Sequence, residues 1–126
     1  VHCYLFDGQE KWSAEVFGNI KSNAVVFKDL FLTATYGGDL FSINSNNGDV
    51  VQVIGVGENI TTDLSLVDLT TTTLKSKGVV FGTEAGNIFC YDIFTFEMIW
   101  KINLSTHSLI SKPIIVNDKI IFKNFQ

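Results

Sequence analysis

Residues 86–100 read GNIFCYDIFTFEMIW and repeat the pattern of residues 38–52, GDLFSINSNNGDVVQ, at a spacing of 48 positions. Each copy opens with a glycine, Gly38 or Gly86, then runs through apolar residues, crosses a polar turn and enters a second apolar run. Two such runs joined by a short polar turn are typical of a β-hairpin. Each glycine stands where the chain must reverse tightly, a position that needs the conformational freedom of glycine.

A second pair of copies brackets the first. Residues 22–33, SNAVVFKDLFLT, align without gaps to residues 111–122, SKPIIVNDKIIF. In both segments a two-residue turn with Asp in second place joins two apolar strands, as in a tight hairpin. Their spacing of 89 residues corresponds to two units of about 45 residues, within the range of propeller repeats.

Each unit is therefore predicted to contain four antiparallel strands, the last of which ends in an aromatic residue. Trp12 and Trp100 hold this position in two copies and Gln52 in a third, and we expect the two indoles to pack between neighbouring units. Four-stranded units in series predict an all-β propeller, with a β-sandwich as the alternative. The predicted strands cover residues 24–27, 30–35, 39–43, 50–56, 64–67, 79–83, 87–92, 98–102, 113–116 and 119–123.

The units amount to about three blade equivalents. Within a single propeller segment, residues 1–12 are predicted to end one blade, about 20–56 and 60–103 to form two full blades, and 108–126 to start the next. Closed propellers have typically about 4–8 blades. We therefore expect the remaining blades to lie elsewhere in a larger protein, with closure by oligomerisation as the alternative.

One hairpin connection is predicted to be enlarged. The interval from Trp12 to Gln52 is 40 residues and that from Gln52 to Trp100 is 48, so one unit carries an insertion. Because propellers vary their function through loops on a fixed scaffold, we predict that this loop contacts a partner protein. Its residues are Asp68, Leu69, Thr70, Thr71, Thr72, Thr73, Leu74 and Lys75.

The complete pattern resembles the pyrroloquinoline-quinone-like (PQQ-like) repeat family over essentially the whole chain. It consists of a small polar residue, two apolar strands around an Asp-containing turn, then G-x-[LI]-F-x-[IY]-[ND] and a terminal Trp, and residues 85–122 are the best copy. The departures are Gln52 for Trp, Thr95-Phe96 where the family usually has Thr-Gly, and the Thr-rich loop. Each departure is predicted to weaken its own blade without breaking the pattern.

The resemblance implies a fold and leaves three functional classes open. The leading hypothesis is a non-catalytic protein-interaction scaffold, like the propeller lipoprotein of bacterial outer-membrane protein assembly. The second is the accessory propeller of adenylate-forming enzymes of the β-alanine-activating type, whose strands resemble residues 2–12, HCYLFDGQEKW. The third is the quinoprotein dehydrogenases, which hold the quinone PQQ and calcium with an adjacent Cys-Cys pair and a carboxylate–amide cage. This sequence has no Cys-Cys pair, and no cofactor is predicted outside the third class.

Composition narrows the partners. Of the 126 residues 46% are hydrophobic and 17% charged, which is too apolar for a disordered chain and too weakly charged for a coiled coil. The net charge is -4, and no basic cluster is visible along the sequence, so nucleic acid is not a predicted partner. No apolar run approaches the ~20 residues of a membrane span.

Candidate chemical groups favour structural roles. Cys3 and Cys90 hold nearly the same place in different units, so we expect two buried free thiols rather than a disulfide. The carboxylates considered for acid–base catalysis have no partner histidine at a readable spacing, and no catalytic, cofactor-binding or metal-binding residue is predicted. These carboxylates are Asp63, Asp68, Glu84, Asp92 and Glu97.

Overall fold

The computed structural model describes residues 1–70, 75–104, 107 and 111–122, and all regular elements within them are β-strands. The all-β prediction is therefore confirmed. In chain order the strands are β1 (His2–Tyr4), β2 (Glu10–Ser13), β3 (Val25–Phe27), β4 (Leu30–Ala34), β5 (Asp39–Asn44), β6 (Val50–Gly55), β7 (Ser65–Asp68), β8 (Lys77–Gly82), β9 (Asn87–Asp92), β10 (Met98–Asn103), β11 (Ile114–Val116) and β12 (Lys119–Ile121).

The strands form four antiparallel sheets in which sequence neighbours pair. Sheet I contains β1 and β2, sheet II contains β3 to β6, sheet III contains β7 to β10, and sheet IV contains β11 and β12. Both predicted two-residue turns are present, because Phe27 pairs with Leu30 and Val116 pairs with Lys119. In each turn the first residue has a φ of 54°, which allows the tight reversal.

The repeat is visible in the pairing register of three sheets. In sheets I, II and III, the residue that ends the repeat unit pairs with an equivalent residue of the preceding strand. A β-bulge lies next to each of these pairs. A bulge bends its strand and increases the local twist, so the three outer hairpins are shaped alike. The three pairs are Cys3 with Trp12, Ser42 with Gln52, and Cys90 with Trp100.

The core lies between the sheets, because alternate residues of each strand point to opposite faces. The rings of Phe81, Phe89 and Tyr91 stack on the face that sheet III turns to sheet II, with centroids 5.7 to 6.0 Å apart. They join Leu32 and Leu40 of sheet II in one buried cluster. Burying an aliphatic or aromatic side chain of this size stabilises a fold by about 1.5–3 kcal/mol, so this boundary is a major source of stability.

A smaller cluster joins sheet III to sheet IV. Val80 and Cys90, on the opposite face of sheet III, are fully buried, and Trp100, Ile115 and Ile120 pack against them. The Ser65 hydroxyl of sheet III donates a hydrogen bond of 2.7 Å to the Pro113 carbonyl. Sheet III is thus covered by a neighbour on both faces.

The predicted strand bounds differ from the observed ones by up to two residues. The strand predicted at 87–92 is found as Asn87–Asp92, whereas the one predicted at 79–83 already begins at Lys77. Asp68, predicted as the first loop residue, is instead the last residue of β7 and pairs with Lys77. The enlarged connection therefore covers residues 69–76, closed by a 2.9 Å bond from the Leu69 amide to the Ser76 carbonyl.

Several predicted positions lie outside the described residues. They belong to the enlarged loop, to the stretch between β10 and β11, and to the residues after β12, which include the end of the strand predicted at 119–123. The positions are Thr71, Thr72, Thr73 and Leu74, residues 105, 106 and 108–110, and residues 123–126.

Candidate functional site

Antiparallel order places the connections alternately at two ends of the molecule. The lower end carries the β3–β4, β5–β6, β7–β8 and β9–β10 connections. The upper end carries the β4–β5 and β8–β9 turns together with the connections between sheets. Side chains from neighbouring sheets meet at both ends, and these are the places to examine for a site.

Trp12 lies on the β5–β6 turn of the next sheet. Its indole Nε1 donates a 2.9 Å hydrogen bond to the Ser45 carbonyl. Its ring covers Gly48, where an added Cβ would come within 2.6 Å of an indole carbon. Gly48 has a φ of 79°, which favours glycine, and the absence of a Cβ leaves room for the indole. Trp12 therefore joins sheet I to sheet II.

Trp100 lies between sheets III and IV, half-buried beside Ile115 and Ile120. A cavity of about 170 Å³ borders its ring and the turn of sheet IV. Gln52, the equivalent residue of sheet II, has a buried Oε1 for which the described residues offer no hydrogen-bond donor. The neighbouring Ser42 hydroxyl is fully buried and also without a partner among the described residues.

Gly38 and Gly86 immediately precede the third strand of their sheets and have φ values of 101° and 81°. Each amide donates to the carbonyl four residues before the strand, Thr35 or Thr83, at 3.1 Å. At Gly38 an added Cβ would collide with the Glu58 carbonyl oxygen of the connection between sheets II and III. The first glycine is thus required by close approach as well as by its φ.

A polar cluster around Glu58 occupies the upper end. The Glu58 carboxylate accepts hydrogen bonds from the Thr83 hydroxyl at 2.7 Å and from the Asn87 amide at 2.8 Å, and pairs with Lys101 at 3.3 Å. Partial burial raises the pKa of this carboxyl, but the hydrogen bonds and the Lys101 charge outweigh burial and hold the pKa below its ordinary value. This cluster fastens the connection of residues 56–59 onto sheet III.

Sequence reasoning did not select Glu58, and of the carboxylates that it considered, Asp63 and Asp92 make structural hydrogen bonds. Asp63 accepts a 2.8 Å hydrogen bond from the Asn23 amide and so ties sheet III to sheet II near the start of β3. Asp92 accepts hydrogen bonds from the Phe94 and Thr95 amides of its own turn and from a serine hydroxyl. Burial raises the pKa of Asp92, and these hydrogen bonds outweigh it and lower the pKa overall.

A cavity of about 150 Å³ opens at the lower end beside the enlarged connection. Two phenylalanine rings stand edge to face on it, with centroids 5.9 Å apart, and three lysines surround them. Two of the three ammonium groups, those of Lys28 and Lys77, lie 5.5 and 5.4 Å from the centroid of the same ring. The cavity is lined by Phe27, Lys28, Thr70, Lys75, Ser76, Lys77 and Phe94, and so by no carboxylate of the described chain.

The two thiols are free, as the sequence predicts, but the prediction that both are buried is correct only for Cys90, since the short sheet I leaves Cys3 partly exposed. Cys90 is fully buried in the cluster between sheets III and IV, whereas Cys3 is half-buried. Burial, and to a smaller extent the charge of Asp92, raises the pKa of the Cys90 thiol to about 12. A thiol with this pKa is protonated and poorly nucleophilic at neutral pH.

Metal-ligating side chains do not cluster in the described residues. Among them, no three or more His, Cys, Asp or Glu side chains converge in a way that could hold a metal ion. A carboxylate–amide pair does exist, Glu58 with Asn87, but it already binds the ammonium of Lys101. The described part of the chain also contains no helix that is long and apolar enough to cross a membrane.

The fold and these contacts define a class of protein: a β-propeller segment whose four-stranded sheets are held by side chains that cross from sheet to sheet. Solved structures narrow the class. BamB from Moraxella catarrhalis superposes with a TM-score of 0.68 at 19% sequence identity, over 87% of this chain and 32% of that chain. Quinohemoprotein alcohol dehydrogenase ADHIIG from Pseudomonas putida HK5 gives 0.68 at 12% identity, over 86% of this chain and 17% of that one.

Both proteins are PQQ-like β-propellers, so the fold of this chain is that of a PQQ-like β-propeller segment, and the propeller prediction is confirmed over the sandwich alternative. The chain spans about a third of BamB and a smaller share of the dehydrogenase. No protein-family model and no curated protein matches the sequence. At these identities the similarity establishes the fold and leaves the activity open.

Proposed function

We propose that this chain is a non-catalytic propeller segment that acts as a protein-interaction scaffold within a larger protein. The observation that carries the proposal is the distribution of exposed apolar residues over sheets III and IV. Ile114, Val116 and Ile121, on the far face of sheet IV, are 46%, 45% and 48% exposed. Ile102, on the outer strand of sheet III, is 52% exposed.

These residues lie where the internal boundaries of the fold bury their counterparts fully or in part. Leu32, which the repeat places at the position of Ile121, is fully buried against sheet III. Apolar sheet faces of this kind are normally covered by a further sheet of the propeller. We therefore assign the far face of sheet IV and the outer part of sheet III to contacts with further blades, and the loops at the two ends to partner proteins.

Hydrodynamic measurements test the exposed faces. The 126-residue chain is expected to self-associate in sedimentation velocity and to bind the dye ANS in its folded state. Ile114→Lys with Ile121→Lys should reduce both signals, because charge on the face of sheet IV opposes burial. Phe17→Lys is the matched control: its side chain is 80% exposed but lies in a connection. A monomeric chain that does not bind ANS would contradict the proposal.

An activity assay tests the non-catalytic assignment. The protein is mixed with PQQ and calcium and assayed for dye-linked oxidation of alcohols and aldehydes. We expect no turnover above that of the free quinone. Turnover that depends on the protein would favour the dehydrogenase hypothesis and overturn the scaffold proposal.

A further inference from the structure

The lysine-rich cavity at the lower end has properties that the scaffold role does not by itself explain. Lys28 enters it from the β3–β4 turn of sheet II, and Lys75 and Lys77 enter it from the enlarged connection and β8 of sheet III. Three of the nine positive charges of a chain with net charge -4 thus meet at one place. The cavity straddles the boundary between two sheets and so depends on the propeller arrangement.

None of these lysines forms a salt bridge within the described part of the chain, although Asp29 follows Lys28 in sequence. Among the described residues, the ion pairs involve other lysines and a histidine. Asp68 faces Lys77 across the β7–β8 hairpin and interacts with it electrostatically, while its Oδ1 accepts a 2.9 Å bond from the Thr70 amide. Asp92 is likewise held, by the Ser76 hydroxyl and its own turn. The described lining of the cavity thus carries three ammonium groups and no carboxylate, which favours an anionic ligand.

The aromatic residues give the cavity an apolar component. Phe27 is half-buried and anchors the site, while Phe94 is 47% exposed and offers its ring to solvent. The ammonium groups of Lys28 and Lys77 are held near the Phe27 ring by cation–π attraction, which limits their motion before a ligand arrives. Cations positioned beside an exposed ring match a ligand that combines carboxylates with apolar side chains.

We propose that this cavity binds an acidic peptide segment of a partner protein, with glutamate or aspartate carboxylates on the lysines and an apolar side chain on Phe94. The inference rests on the proposed scaffold role and names the chemistry of its partner. A nucleic acid is disfavoured, because it needs a basic stripe along the phosphate backbone and the remaining charge of this chain is acidic.

Fluorescence anisotropy with labelled peptides tests the cavity. The probes are Glu-Phe-Glu-Phe-Glu and its neutral counterpart Gln-Phe-Gln-Phe-Gln, titrated with the full chain at low and at physiological salt. We expect the acidic peptide to bind more tightly and to lose affinity as salt rises. Lys28→Gln and Lys77→Gln should each weaken binding about threefold, and the double variant about tenfold, as for exposed charge pairs.

Lys119→Gln is the matched control, since it removes one exposed lysine from the turn region of sheet IV and should leave the affinity unchanged. Equal binding of the two peptides, or an affinity insensitive to both cavity variants, would overturn the proposal. Tighter binding of a labelled oligothymidylate than of the acidic peptide would overturn it too, in favour of a nucleic-acid site. Each of these failures leaves the scaffold proposal standing, because that proposal is decided by the sedimentation and activity measurements.

Discussion

Gln52 and Phe96 are expected to be coupled in their effect on stability, because together they replace the Trp–Gly contact of the preceding sheet boundary. At the boundary of sheets I and II, the indole of Trp12 lies on Gly48. At the boundary of sheets II and III, the equivalent positions hold Gln52 and Phe96, with matching pairing register and matching turn hydrogen bonds. Phe96 is 6% exposed and belongs to the core cluster of that boundary. We infer that its ring fills the space that an indole fills one boundary earlier.

The double variant Gln52→Trp/Phe96→Gly should therefore be far more stable than its single variants suggest. Removing a buried Phe costs about 3–5 kcal/mol, of which relief of the left-handed conformation returns about 1–2 kcal/mol. Phe96, at a φ of 56°, is then worth about 1–4 kcal/mol of unfolding free energy. Gln52→Trp alone overpacks the boundary and costs about 1–3 kcal/mol. If the two costs add, the double variant loses about 2–7 kcal/mol, whereas two residues that share one space lose about 1 kcal/mol or less.

Urea unfolding of the complete chain, followed by circular dichroism, measures these differences. The control double variant is Gln52→Trp with Phe94→Gly, which removes the same side chain from the same turn at a position that is 47% exposed. That control should show additive costs. If the losses of the Gln52 and Phe96 variants also add, the two residues do not share one space and the inference is wrong.

Three further outcomes follow from named contacts. Gly48→Ala should cost about 2 kcal/mol more than Gly57→Ala in urea unfolding, because the φ values of 79° and 84° are alike but only the first Cβ meets an indole; equal costs would contradict the contact. Glu58→Gln should lower the free energy of unfolding at pH 7, and the difference from the unchanged protein should shrink as the pH falls below about 4. The reason is that a carboxyl whose pKa is lowered in the folded state contributes stability that is lost when it is protonated. A difference that does not change with pH would refute this. A thiol reagent at pH 8 should modify Cys3 in the folded chain and reach Cys90 only in urea, given the raised pKa and burial of Cys90; rapid labelling of both thiols would count against the buried position.

The sequence predicted what depends on local pattern and on the repeat. Glycines and two-residue turns mark where strands end, so the strand at Asn87–Asp92 was placed correctly. The spacing of the copies located the insertion in the β7–β8 connection. The predicted start of this insertion at Asp68 is wrong, because Asp68 pairs with Lys77 across the hairpin and is the last strand residue. An exposed Asp opposite a Lys cannot be recognised as a strand residue from the hydrophobic pattern.

The sites could not be predicted because they assemble across sheets. Glu58 meets Thr83, Asn87 and Lys101, which lie far away along the chain and are brought together by the pairing of β8, β9 and β10. The lysines of the lower cavity look scattered in a chain of negative net charge, and no basic cluster was expected from it. Only the packing of sheet II on sheet III brings the three lysines to one cavity and two of them, Lys28 and Lys77, to the ring of Phe27.

The departures from the repeat have two different physical consequences. A propeller sheet buries its faces only on its neighbours, so side-chain volume is constrained at each boundary rather than within each copy. Gln52 and Phe96 depart from their own copies, yet the repeat assigns the two positions to one boundary, where we infer that each departure makes room for the other. The enlarged connection lies at an end of the molecule, where surface loops of different length are generally tolerated and extra residues cost little in chain entropy. The first kind of departure is thus limited by the neighbouring sheet, whereas the second is limited only by the closure of its own hairpin.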